Sequence, residues 1–498
     1  MSAIDADRGV SGTDVLIVGA GPVGTWLAGE LRLAGVSVTL LERTPERGTY
    51  TRGMVVHART LEVLAMRAMA TVPLTRGREL SKFHYGMLPS LLDFGVLDTD
   101  FPFVLAYPQQ MLEDLFERRA VGLGATVLRG HTVTGLTQDE SSVLVQADTP
   151  EGPRTFAARY AVGCDGAHST VREAAGIDFP GSGDTLFGYV GDATLAHRPE
   201  QGTAVIAGPG GSLIAAPLPG TGTYRLAGFD PHDQGPGDAL TPERLRRSVI
   251  RAAGRDFGMR DVTSLSRFGN ATRQAADYQA GRVFVAGDAA HMHLPTGGVG
   301  LNVGVQDAMN LGWKLGAVVR GDAPEDLLRS YHAERHPVGA ALLGSTLAQT
   351  ALITAFSAET VALRQLLADL IKTTPELSRE LASAQSGLDV AYPAAGPGDH
   401  PLTGQRMPDL TTDRGSVFSD LASGRALLLN FAGPGALTLA TEAAGQHGIL
   451  VRAAESWPGQ KIAVVLVRPD GYVAWASEEA YDEEAAAAIS GFGVTFAA

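Results

Sequence analysis

Cysteine is almost absent from this chain of 498 residues: Cys164 is the only one. A single thiol excludes an internal disulfide framework, a cysteine-rich zinc site and a redox dithiol pair. Positive charge is also short, with 40 Lys and Arg against 54 Asp and Glu and a net charge of −14. That balance argues against a nucleic-acid partner, which needs a basic face. No run approaches the ~18 apolar residues of a membrane-spanning helix. Residues 1–13 are polar and acidic, without the basic-then-apolar pattern of a secretory signal. No repeat of about 20–50 residues is visible, which disfavours solenoids and propellers. Aromatic residues make up only 6% of the chain, yet the apolar share is 45%, ample for buried cores. The length suggests about three domains. A cytoplasmic protein in a reducing compartment is expected, with no membrane and no nucleic acid.

What the chain has in quantity is glycine, 61 residues of it. Residues 14–18 (DVLIV) read as a strand buried on both faces. They run into Gly19, Gly21 and Gly24, the G-x-G-x-x-G spacing, and then into a helical pattern through Leu27, Leu31 and Leu33. A second strand, 37–41, ends at Glu42. Gly19 permits a tight turn, Gly21 lets a pyrophosphate approach the backbone, and Gly24 lets the helix pack on the strand. The helix start offers free N–H groups and a positive dipole end. Glu42 is placed to accept from adenosine ribose hydroxyls and would repel a 2′-phosphate, so the tightly held nucleotide is expected to be FAD or NAD. There is no second fingerprint: Gly298, Gly300 and Gly304 are wrongly spaced, and no strand and helix flank 208–211. One tight site leaves either a dehydrogenase or a flavoprotein that receives hydride transiently.

Two later segments bear on that choice. Residues 160–176 (YAVGCDGAHSTVREAAG) read as strand, turn at Asp165-Gly166, and helix; alone, Asp165 simply begins the turn. Residues 282–315 (RVFVAGDAAHMHLPTGGVGLNVGVQDAMNLGWKL) read as a strand ending at Gly287-Asp288, a loop with Pro295, Gly297 and Gly298, and a helix from near Gly300. Asp288 can accept from the ribityl hydroxyls of a flavin. The glycine-rich helix start can set N–H groups and a positive dipole against the flavin ring.

In this order the three motifs resemble the single-component FAD-dependent aromatic hydroxylases, and among them the aromatic-polyketide hydroxylases and rifampicin-type monooxygenases. The resemblance spans essentially the whole chain. It implies tightly bound FAD, NADPH or NADH as transient hydride donor, O2, and hydroxylation of a bulky fused-ring aromatic small molecule through a flavin hydroperoxide. By resemblance, Gly19, Gly21, Val23 and Gly24 meet the pyrophosphate and Glu42 the ribose, while Arg43 and Val133 lie beside the adenine. Arg52 matches an arginine that contacts FAD and is a possible catalytic residue; no other is assigned. Gln109 lies near the pyrophosphate, and Asp165 belongs to a motif linked to FAD and NADPH. Asp288 holds the ribityl chain, and Pro295, Gly298, Gly300, Leu301 and Asn302 border the ring. The chain departs from its relatives at Val299, where Gln is common, and at Ala68 after Arg67, where Gly is usual.

The expected fold class is α/β: a FAD-binding Rossmann-like domain with an inserted antiparallel β-sheet substrate domain and a C-terminal thioredoxin-like domain. The FAD-binding part takes 1–178 and 275–385 with its following helices. The substrate part takes 179–274, with 76–105 contributing, and the C-terminal part takes 393–498. Without a cysteine pair the last cannot do dithiol chemistry, so a structural or homodimer-related role is expected. Two alternatives on the same fold are a Baeyer–Villiger-type or antibiotic-inactivating monooxygenase and a non-catalytic flavin- or ligand-binding protein. The tryptophans Trp26, Trp313, Trp457 and Trp475 form no W-x-W motif, against a halogenase. His291 and His293 are not read as a metal pair, His291 is read as part of the loop over the flavin, Cys164 as buried and inert, and the acidic residues between Glu478 and Glu484 as a solvated helix face.

Overall fold

The computed structural model describes residues 12–48, 53–218, 220–233, 235, 239–393 and 399–496. Strand Gly12–Val18 lies between Gly152–Gly163 and Val38–Glu42 in an eight-stranded sheet, with Val283–Val285 and Thr126–Arg129 flanking them; these four pairings are parallel. A hairpin, Thr132–Gln138 and Val143–Thr149, pairs antiparallel with the first half of the long strand. Val15, Leu16 and Ile17 have no exposed surface. A parallel strand covered on both faces needs such a continuous apolar run. The register sets Val18 beside Leu41 and Gly163, and Gly163 beside Val285. All three motif turns therefore leave the sheet at the carboxyl ends of adjacent strands, where open α/β sheets present their ligand sites.

Helix Pro22–Leu33 packs on helix Gly300–Arg320 through glycine. A Cβ on Gly304, Gly312 or Gly316 would stand 2.6 Å from Val23 Cγ2, Glu30 Cβ or Ala34 Cβ. These glycines fall on one helical face, so the two helices approach closely and their N-termini open beside one another.

A five-stranded antiparallel sheet is inserted, in the order Ala204–Gly208, Gly211–Pro217, Tyr224–Phe229, Phe187–Leu195, Met259–Gly269. Helix Pro242–Ala253 covers it with Leu245 and Val249, both fully buried. Residues 76–105 pack chiefly elsewhere. Tyr85, Leu88, Leu92 and Phe94 cluster with Leu352, Ile371 and Ala382 of helices Arg329–Ile353, Ala358–Thr373 and Pro375–Ser386. Met87 reaches the inserted sheet at Phe229.

After residue 399 a four-stranded sheet runs Leu450–Ala453, Leu427–Asn430, Val464–Val467, Val473–Ser477, the first pair parallel and the others antiparallel. Helices Thr438–Gln446 and Asp482–Phe492 complete a β–α–β, β–β–α chain order. Glu478, Glu479, Glu483 and Glu484 are exposed, but Asp482 is not part of a plain solvated face. Its carboxylate accepts the Leu439 and Ala440 N–H groups, both at 2.8 Å, and so caps the neighbouring helix. This unit shares one apolar core with the rest: Phe418, Leu421, Leu427 and Val467 are buried together with Leu64, Met66 and Leu311. No single helix among the described residues is long and apolar enough to cross a membrane.

Candidate functional site

The three fingerprint glycines have different physical causes. Gly19 has φ +100°, and a Cβ there would stand 2.4 Å from the Cys164 carbonyl oxygen; on Gly24 it would stand 2.1 Å from the Gly19 oxygen. The protein's own backbone requires both. Gly21 is unlike them, since a Cβ there would meet nothing within 4 Å among the described residues. It caps helix Pro22–Leu33 without a side-chain hydrogen bond, leaving room where the unpaired N–H groups of the first turn point. Val23 offers its N–H in that turn. Its side chain is wedged against Gly287 and Gly304, where a Cβ would stand 2.9 and 2.6 Å from it.

Glu42 ends the adjacent strand. Its Oε2 accepts the Ala20 N–H (2.9 Å), and Oε1 accepts the Thr44 N–H (2.9 Å) and hydroxyl (2.7 Å). Burial would raise its pKa, but these donors outweigh it and hold the carboxyl below its usual value. A carboxylate has about four lone-pair directions, so Oε2 keeps room for a further donor. Arg43 is exposed next to it. The His131 N–H donates to the Glu42 carbonyl (2.9 Å), which brings buried Val133 to the same strand end. Gln109 begins helix Gln109–Gly122; its side chain accepts the Gly53 N–H at 2.9 Å and donates to Glu113 at 2.7 Å. Arg52 lies outside the described residues.

Asp165 orders its own turn, accepting the Ser169 hydroxyl (2.5 Å) and the Val171 N–H (3.2 Å). Burial pushes its carboxyl up against these bonds. Cys164 is half-buried rather than fully buried, and burial pushes its thiol well above the usual value. Asp288, in contrast, is exposed and accepts no hydrogen bond among the described residues. It borders the start of helix Gly300–Arg320, where a Cβ on Gly300 would lie 3.8 Å from Asp288 Oδ1. Pro295 is exposed and Leu301 half-buried. Gly298 has φ +66°, and its Cβ would stand 2.2 Å from Val55 Cγ2. Asn302 does not offer a free side chain: Oδ1 accepts the His57 N–H (2.8 Å) and Nδ2 donates to the Gly298 carbonyl (2.8 Å).

Two residues that position this loop carry no motif. His57 Nε2 bonds the Gly297 carbonyl at 2.8 Å, and burial pushes the ring down to about 4, so it is neutral near pH 7. A carbonyl can only accept, so the proton sits on Nε2, and Nδ1 has no partner. Asp307, fully buried, accepts the Gly287 N–H (3.1 Å) and His291 Nε2 (2.7 Å) on Oδ2 and Arg335 Nε (2.8 Å) on Oδ1. Burial would raise its pKa, but Arg335 and His291 hold it down at about 2. His291 is therefore fully buried, while His293 Nδ1 bonds the Leu294 carbonyl. One signal was available in the sequence. Asp307, Asn310 and Lys314 recur every three or four residues, a polar stripe on a helix that is buried almost throughout.

The residues present fit FAD. Among the described residues space stands open over Gly21, Glu42 retains a lone pair, the Asp288 carboxylate accepts no hydrogen bond, and a second helix start adjoins it. Comparison with known proteins agrees. Residues 12–346 match the FAD binding domain family, and residues 400–493 match the C-terminal region of aromatic-ring hydroxylases. The chain is 42% identical over 486 residues to a 12-dehydrotetracycline 5-monooxygenase/anhydrotetracycline 6-monooxygenase of Streptomyces rimosus, covering 93% of this chain and 95% of that one. It is 39% identical over 482 residues to a rifampicin monooxygenase of Streptomyces venezuelae, covering 94% and 96%. The solved structure of an anhydrotetracycline hydroxylase from Streptomyces rimosus superposes with a TM-score of 0.85 at 41% identity, over 94% of this chain and 96% of that one. The chain belongs to the FAD-dependent aromatic-ring hydroxylases, and it is a FAD-dependent monooxygenase.

Proposed function

We propose that this enzyme hydroxylates an electron-rich ring of a bulky, fused-ring, polyketide-like aromatic, using NADPH or NADH and O2. The observation that carries the reading is an adjacency. The open groups over Gly21 and at Asp288 share one edge of the parallel sheet, and the loop that follows Asp288 meets an apolar cluster at the inserted sheet. Leu294 in that loop packs with Met87, Phe229, Phe268, Ile353 and Phe356. A cluster of this kind suits a large flat ring system and excludes water from it.

When bound, FAD supplies the redox and oxygen chemistry; the chain supplies position. The N–H groups over Gly21, Val23 and Gly24 would take the pyrophosphate, Glu42 the ribose, Arg43 and Val133 the adenine, and Asp288 the ribityl chain. Gln109 and Asp165 act through the segments they order. The N–H groups of Gly300, Leu301 and Asn302, with Pro295 and Gly298 before them, would border the ring and favour negative charge there. The flavin is assigned to 1–178 with 275–385, and the substrate to 179–274 with Met87 from the 76–105 segment, followed by a unit at 393–498. The last is read as a thioredoxin-like unit, and with Cys164 the only cysteine it has no dithiol chemistry.

The test follows NADPH oxidation by the purified protein with and without polycyclic phenols, and the mass and connectivity of the product. A ring-hydroxylated product, heavier by one oxygen and formed with accelerated NADPH consumption, supports the reading. A ring-expanded lactone would move it to insertion beside a carbonyl, and no ligand-stimulated consumption would end it.

A further inference from the structure

The turn at residues 468–471 of the C-terminal unit reaches deep into the flavin-binding part. The Asp470 carboxylate, 1% exposed, accepts Trp313 Nε1 at 3.1 Å and Asn310 Nδ2 at 3.4 Å, both from helix Gly300–Arg320. Arg468 closes on the same carboxylate at 3.0 and 2.5 Å. It also grips Glu334 with two bonds of 2.8 Å, and Glu334 in turn accepts Lys314 Nζ at 2.8 Å. The turn's carbonyls are used as well. Asp470 O accepts Arg59 Nη2, and Pro469 O accepts Arg67 Nη2, both at 3.0 Å. Arg59 belongs to helix Ala58–Ala65, and Arg67 follows its end.

These two helices are the ones whose starts hold the flavin-side loop. His57, at the start of Ala58–Ala65, bonds Gly297 and Asn302, and the Thr60 hydroxyl bonds the Asn302 carbonyl at 3.4 Å. On Gly300–Arg320, Asp307 bonds Gly287. Each helix is thus bonded both to the turn and to backbone beside the crevice. A buried ion network is a poor source of net stability, yet removing one partner is costly and the geometry it permits is narrow.

We infer that the turn at 468–471, with Asp470 at its centre, is a positioning element for the isoalloxazine loop, acting through Arg59 to His57 and through Asn310 and Trp313 to Asp307. The C-terminal unit would then set the geometry of the flavin site within its own chain. This rests on the flavin site described above, but not on the substrate proposed for it.

The test compares Asp470→Asn with the parent as FAD-loaded enzymes, well below both melting temperatures. FAD affinity, the fluorescence of bound flavin and its reduction potential are read without substrate; the hydrogen peroxide released per NADPH is read with it. Asp470→Asn is expected to weaken FAD about tenfold, shift the potential and raise peroxide release at least threefold. Lys461→Ala, which removes an exposed ion pair of the same unit, changes none of these. Should Asp470→Asn fail to fold, Trp313→Phe removes one donor to Asp470 while keeping an aromatic ring, and the same shifts are expected in smaller measure. A lower melting temperature with unchanged FAD affinity, fluorescence and potential would reduce the turn to a purely structural contact and overturn the inference. A parent enzyme that binds FAD normally but oxidises no phenol would instead count against the proposed reaction and leave this inference standing.

Discussion

The crevice at the strand ends and the interface beneath the C-terminal sheet use polar groups in opposite ways. At the crevice valences are left open: among the described residues nothing stands over Gly21 and Asp288 accepts no hydrogen bond. In the network from Asp307 to Asp470 they are largely closed, with Arg335, Lys314, Arg468 and Trp313 each bonded to a buried oxygen. Buried polar groups must be satisfied, so closed sets hold a structure together, while open ones near a surface mark where a ligand completes it. Variants of the two kinds should therefore differ in what they lose.

The sharpest contrast lies within the fingerprint. Gly24→Val puts side-chain bulk onto the Gly19 carbonyl and should abolish the folded protein, whereas Gly21→Val should fold. The second variant should lose at least about 100-fold in FAD affinity, or about 2.7 kcal/mol. Circular dichroism and flavin retention check both, and a yellow Gly21→Val protein would break the comparison. On the closed side, Arg335→Met leaves Asp307 charged and buried without its cation, which should cost about 3–5 kcal/mol in urea unfolding.

Protonation offers a third test. His57 and His84 are each pushed down to about 4 by burial, against about 6.5 when unfolded. Between these values the unfolded chain binds more protons than the native one, so stability falls as pH drops from about 6.5 to 4, by about 3 kcal/mol for each ring. Urea midpoints at pH 7 and pH 4.5 should show the loss, and His84→Leu should reduce the steepness. The smallest effect belongs to the open carboxylate. Asp288→Ala should leave the apoprotein's melting temperature unchanged and weaken FAD about tenfold, or about 1.4 kcal/mol. A destabilised apoprotein would show that Asp288 belongs with the closed set.

The open side was legible in the sequence because it is made of backbone. A tight turn at Gly19, close packing at Gly24 and a helix start at Gly300 each demand glycine at a fixed offset from a strand, and such offsets survive as spacing. The inserted antiparallel sheet was legible for a similar reason, since SLIAAPL and TYRLAGF alternate between Pro-Gly turns and pair directly. The closed side left little trace. His57 meets Gly297, and Arg59 meets Asp470, across more than 200 and 400 residues of chain. His291, read as a loop residue, lies in the core because Asp307 one helix away takes its ring nitrogen. Residues 76–105, read as part of the substrate unit, pack mainly on helices near residues 352–382, because an apolar segment joins whichever apolar face the fold brings to it.

The amino-acid order alone determined the nucleotide-binding strand and helix, the acidic strand end at Glu42, the two later turns and the absence of dithiol chemistry, since each depends on residue type at short range. Only the tertiary structure decided which glycines serve the protein and which leave space for a ligand, where His57, Asp307 and Asp470 act, and how the last unit is joined to the first. Those outcomes depend on which distant groups meet inside a dry core, where an unpaired donor, acceptor or charge is costly.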